Sequence, residues 1–218
     1  MFKYFQTTTL ILFWCFFISW LWAVVVYWYT TKFSKQSIEK QGRLALLPAL
    51  VLAPLALVLF HSFFGINLLF PLHFFASFST LLLASLVPAV VLLLASGLLG
   101  SIKQTVAYEY SYWRGKTFAL VSESLGRRVD TTLRRLVLLK ALTASWSRCL
   151  PWLFGELIVV ESVFNAPGLG LDAWHLARIR DFAGLAEAIF WLALLYGICV
   201  AVTAVINNWI GKRLESYS

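Results

Sequence analysis

Apolar residues run through this chain in long blocks separated by short polar links. A helix needs about 20 apolar residues to cross the hydrocarbon core of a bilayer. Five blocks are of that order: residues 7–29, 44–63, 79–100, 141–162 and 182–209. Each is predicted to be a transmembrane helix. Between the second and third lies GINLLFPLHFFASF, residues 65–78, apolar but broken by Gly65 and Pro71. It reads as an interfacial or re-entrant piece. The longest polar link, residues 101–140, ends in SESLGRRVDTTLRRLVLLK. There Leu125, Val129, Leu133 and Leu136 recur at helical spacing, with basic residues on other faces. That pattern predicts an amphipathic helix under the membrane. Such a helix either rests on lipid headgroups or receives a cytoplasmic partner.

Charge orients the spans, because Lys and Arg accumulate in cytoplasmic loops. Of the 18 basic residues, 14 lie in residues 30–43, in residues 101–140, or at Lys212 and Arg213 of the tail. Residues 65–78 have none, and the loop 163–181 balances Arg178 and Arg180 against Asp172 and Asp181. Five spans with the N-terminus outside and the C-terminus inside place all three basic segments on one side.

Composition agrees with this picture. The chain is 61% hydrophobic and 13% charged, where a soluble domain has about 25% charged residues. The expectation is an all-α polytopic membrane helical bundle, one domain over residues 1–218. The net charge of +8 would otherwise suggest nucleic acid. Its placement makes it a topology signal, with membrane lipid as the partner and no nucleic acid. The opening MFKYFQTTTLILFWCFF is too long an apolar run for a signal peptide and reads as a retained span.

Cys15, Cys149 and Cys199 lie far apart in apolar runs and read as small buried hydrophobes. His61, His73 and His175 are scattered. No Ser-His-Asp order, paired carboxylates or Gly-Lys-Ser/Thr phosphate loop occurs. The sequence therefore predicts no catalytic residue, cofactor or metal.

Ionisable groups inside spans face a bundle interior or a cavity. Arg148 and Glu156 lie in the fourth span and Glu187 early in the fifth. These three are the candidate pathway residues. Arg148 and Glu156 are about 80° apart in azimuth and about 12 Å apart in rise, so they do not pair easily. Arg148 has the alternative of snorkelling to the membrane surface.

The fourth span ends in a carboxylate, Glu161, and runs at once into Asn165-Ala166-Pro167-Gly168-Leu169-Gly170. Pro167 lacks an N–H, and Gly168 and Gly170 accept positive φ. A tight, rigid exit follows, which is either a plain helix stop or a gate loop. Glu161 either caps the backbone of the following turn or lines a pathway.

GELIVVESVFNAPGLG, residues 155–170, resembles the signature of permease subunits of peptide-type ABC importers. That family handles dipeptides, oligopeptides and, in some members, nickel complexes. The matching residues are Gly155, Glu161, Val163, Phe164, Pro167, Gly168, Leu169 and Gly170. Other segments fall in family order. QTTTLILFWCFF looks like the start of the family's second span, and TKFSKQSIEKQGRLALLPALVLAPLALVLF like its basic link and third span. LVPAVVLLLASGLLGSIKQTVAYEYSYW resembles the fourth span and its exit, with Pro88 and Glu109-Tyr110 in matching places. The resemblance covers almost the whole chain and is strongest over residues 150–170.

It implies the transmembrane domain of a type I ABC importer in a bacterial inner membrane, shortened at the N-terminus by one span and an external region. It implies a second permease subunit, cytoplasmic ATP-binding subunits and a periplasmic solute-binding protein. It makes Glu161, Phe164, Pro167, Gly168 and Gly170 a periplasmic gate loop. The family's ATPase-docking helix has its nearest counterpart in Ser122 to Gly126, with Glu123 and Gly126 as coupling residues. From there to the next span the chain is longer than the family pattern. Two alternatives remain beside the permease: a degenerate, non-transporting scaffold of the same family, and a membrane-embedded enzyme using Glu161 and His175.

Overall fold

The computed structural model describes residues 2–32, 48–64, 78–115 and 130–215. They are helical apart from short turns, and no strand occurs among them. The helices are α1 (Phe2–Lys32), α2 (Ala49–Phe64), α3 (Phe78–Ala84), α4 (Leu86–Ala95), α5 (Leu98–Arg114), α6 (Asp130–Phe164), α7 (Leu169–Ile179) and α8 (Phe182–Glu215). In hydrocarbon a backbone must satisfy its own polar groups, and a helix does so within one segment. Among the described residues, two helices are long and apolar enough to cross a membrane, over Tyr4–Thr31 and Phe182–Ile210. Two broken pairs, α3–α4 with α5 and α6 with α7, raise this to four if each is one span. The protein is a multi-pass, membrane-embedded helical chain.

Breaks in the helices have local causes. Pro88 lacks the N–H that would bond to the carbonyl of Ala84, and the helix is interrupted there, at Ser85, between α3 and α4. Gly97 takes φ 69° between α4 and α5, a conformation that costs glycine little. Asn165, at φ 52°, ends α6, and α7 leaves at a bend of 76°. Arg180, at φ 60°, closes α7, and Asp181 Oδ1 accepts the Gly184 N–H at 3.1 Å to cap α8.

Three expected boundaries are corrected. The third span, 79–100, is not one helix, because of the breaks at Ser85 and Gly97. The segment 101–140 is helical where described: α5 continues to Arg114, and α6 begins at Asp130 and takes in Leu133 and Leu136. Leu125 and Val129 lie outside the described residues. The loop 163–181 holds an eleven-residue helix, α7. The described part of the second span is α2, of 16 residues. The piece read as interfacial lies outside the described residues except Phe78, where α3 starts.

The chain divides into two units. The first contains residues 2–18, 48–64, 78–97 and 150–198. One of its apolar clusters joins Leu169 and Ala173 of α7 to Ala188 and Leu192 of α8, with Tyr4 and Phe5 of α1 packed against it. The second contains residues 19–32, 98–115, 130–149 and 199–215. Its helices are joined by polar groups: Trp22 Nε1 donates to the Leu99 carbonyl at 3.0 Å, and Trp146 Nε1 to Ser19 Oγ at 3.0 Å. Lipid tails are as apolar as leucine, so such polar contacts and close packing set helix pairing in membranes.

Candidate functional site

In the first unit, a turn after Phe164 lets the chain double back on the last turns of α6. The Ala166 N–H donates to the Glu161 carbonyl at 2.9 Å, and the Gly168 N–H to the Ala166 carbonyl at 2.7 Å. This places the first turn of α7 on the Glu161 side chain, which is completely buried. Its Oε2 accepts the N–H of Gly170 at 2.6 Å and of Leu171 at 3.3 Å. Its Oε1 accepts the hydroxyl of Thr8, on α1, at 2.7 Å. Thr8 Oγ1 in turn accepts the Leu169 N–H at 2.8 Å.

A helix leaves its first N–H groups without intrahelical partners. The residue before α7 is Gly168, which has no side chain to cap them. Glu161 and Thr8 do this from two other helices, and the carboxylate meets the positive end of the α7 dipole. Of the two readings of Glu161, backbone capping is the one its bonds make.

The glycines act differently from expectation. Gly168 has an extended backbone, φ −115° and ψ 174°, and Gly170 lies within α7. Neither has positive φ; Asn165 takes that conformation instead. The need is for space. A Cβ on Gly168 would run into the Glu161 carboxyl group, and one on Gly170 would stand 2.8 Å from Ile158 Cα. Phe164 is fully buried and Pro167 half-buried beside them. The residues expected to form a gate loop are therefore brought together.

The candidate pathway residues are not brought together. Glu156 Oε2 accepts the Ala49 N–H at 2.9 Å, capping the start of α2. Glu187 is exposed on α8. Burial pushes the nearby Asp172 carboxyl up; His175 opposes this and the Glu187 charge adds to it. Arg148 is exposed on α6 and forms no ion pair or hydrogen bond with a described residue. Glu123 and Gly126 lie outside the described residues.

The second unit holds a polar ladder between α5 and α6. Thr105 Oγ1 accepts the Ser145 hydroxyl at 3.2 Å. Glu109, almost fully buried, accepts Trp113 Nε1 at 2.8 Å and pairs with Lys140 Nζ at 3.5 Å. Lys140 also lies over the Tyr112 and Trp113 rings, 5.8 and 5.3 Å from their centroids.

Sequence reasoning missed Thr8 as a site residue, although three threonines in succession inside an apolar span were a visible signal. It counted Lys140 only as topology. No group of three His, Cys, Asp or Glu among the described residues could hold a metal ion. The Glu161 knot places a carboxylate against three neutral donors, two backbone N–H groups and the Thr8 hydroxyl. It ties together the ends of α1, α6 and α7. Compared with known protein families, curated proteins and solved structures, the chain matches none.

Proposed function

We propose that this chain is a transmembrane permease subunit of a binding-protein-dependent ABC importer. It would form half of a solute pathway in a bacterial inner membrane, with its N-terminus periplasmic and its C-terminus cytoplasmic. The observation that carries the reading is the Glu161 knot. The run from Gly155 to Gly170 carries the resemblance to peptide-type permeases. Its Glu, Phe and two glycines converge on one buried turn, where both glycines are needed for space. A span that only anchors a protein needs no such turn.

Alternating access requires parts that move as units. The knot gives α7 a fixed relation to the ends of α1 and α6, so a solute-binding protein pressing on α7 would load those helices directly. ATP hydrolysis belongs to separate cytoplasmic subunits, and coupling to them falls to the segment between α5 and α6. Transport of peptides or a similar small solute follows from the sequence resemblance.

The test is purification of the tagged full-length protein from native membranes in detergent, with mass spectrometry of what accompanies it. Recovery of a second permease and one or two P-loop ATPases is the expected result. A second permease without an ATPase would turn the reading toward a non-transporting scaffold. Recovery of neither from a monodisperse sample would overturn the permease reading.

A further inference from the structure

In the second unit, α5 and α6 run antiparallel, with Thr105 opposite Ser145 and Glu109 opposite Lys140. Continuing that register sets Arg148 level with about residue 102 of α5. Two exposed tyrosines, Tyr108 and Tyr112, stack on α5 with ring centroids 6.3 Å apart. Exposed tyrosines of a membrane helix settle at the membrane–water boundary. At the rise of an α-helix, Arg148 then lies roughly 9 to 15 Å deeper than that belt. This is farther than an arginine side chain climbs by snorkelling.

Arg148 is nevertheless exposed, as is Ser147 beside it, and no described residue neutralises it. In the same unit α8 exposes Val200, Val202 and Val205 on more than one of its sides. Such side chains suit lipid, whereas a guanidinium against hydrocarbon is costly. The two exposed surfaces call for different surroundings.

We propose that Arg148 lines the water-filled solute path and binds an oxyanion, a carboxylate or a phosphate, carried by the passing solute. The inference rests on the permease reading and adds the chemical class of the ligand. A guanidinium offers a planar fork of donors that matches two oxyanion oxygens, and outside water that pairing is strong.

The test uses the full-length protein in proteoliposomes, with Ser147→Cys as reporter and Arg148 retained. Its labelling is measured with membrane-impermeant thiosulfonates, one anionic and one cationic, with the unsubstituted chain as blank. Val202→Cys serves as the lipid-facing reference. The anionic reagent is expected to react with Ser147→Cys at least about tenfold faster relative to the cationic one than it does when Arg148→Gln is added. Val202→Cys should resist both. Protection by tri-alanine with a free carboxylate, but not by its amide, would assign a carboxylate ligand. Protection by inorganic phosphate alone would assign a phosphate.

Labelling without charge preference or protection would overturn the oxyanion site and leave the path intact. Absence of labelling would mean a dry face and overturn the proposal, while co-purification of the partner subunits would still decide the permease reading separately.

Discussion

The Glu161 knot and the α5–α6 ladder are both buried polar groups in an apolar protein, yet they are built differently. In the knot, one carboxylate takes two backbone N–H groups and a hydroxyl, and the hydroxyl takes a third N–H. Backbone donors cannot rotate away, so removing an acceptor strands them. The ladder joins side chain to side chain. Lys140 is partly exposed and has aromatic rings as well as Glu109 to contact. Serine and threonine hydroxyls can also turn to a carbonyl of their own helix. The difference teaches which polar groups fix geometry: the ones that satisfy main chain.

Mutations can break or sharpen this contrast. Glu161→Ala should have the largest effect, roughly 3–5 kcal/mol of stability, because it leaves buried donors unpaired. Glu161→Gln, which keeps one oxygen, should recover about half of that. Titration with denaturing detergent, read by tryptophan fluorescence, measures both; a loss under about 1 kcal/mol for Glu161→Ala would show that the donors find water.

Gly168→Ala should cost about 2–3 kcal/mol through overpacking against the Glu161 carboxyl group. Gly155→Ala is its control, since a Cβ there meets nothing within 4 Å. It should be neutral or stabilise by up to about 1 kcal/mol, the usual gain of Ala over Gly in a helix. Equal costs at the two positions would refute the steric account of Gly168.

Thr8→Val, which keeps shape but removes the hydroxyl, should cost about 1–2 kcal/mol. It should also raise hydrogen exchange at Leu169, the N–H that bonds to Thr8. Unchanged exchange there would remove α1 from the knot. The smallest effect belongs to the ladder. Ser145→Ala should cost about 0.6 kcal/mol, the mean for interhelical hydrogen bonds in membranes. If it matched Glu161→Ala in the same titration, the distinction between main-chain and side-chain partners would fail.

Much of the fold was legible, and the misses share a cause. Block length and hydropathy found the apolar segments within α1 and α8, because a membrane helix must bury its own backbone polar groups. They overran the breaks at Ser85 and Gly97, where a proline three residues beyond the break and one glycine outweigh a uniform apolar pattern. The helix α7 was read as loop because its eleven residues mix Trp, His, Asp and Arg with Leu. It is held by groups from elsewhere: the cap that Glu161 and Thr8 supply and the packing of Leu169 and Ala173 against α8. The residues of the Glu161 turn were found from the sequence motif, but the role of its glycines was not. A glycine in a sequence does not show whether dihedral angle or space calls for it.

The sequence by itself determined that this is a helical membrane protein, which residues are ionisable within its apolar blocks, and that the stretch after Glu161 must turn. These follow from composition and from chemistry local to a few residues. Only the tertiary structure decided that Glu161 and Thr8 cap α7, that Glu156 caps α2, and that Glu109 meets Lys140 while Arg148 forms no ion pair or hydrogen bond with a described residue. Each of those pairings joins groups distant along the chain or on separate helices. Hydrophobic pattern cannot select among such partners, because in a bilayer nearly every face is apolar and only the geometry of packed helices brings particular polar groups within bonding distance.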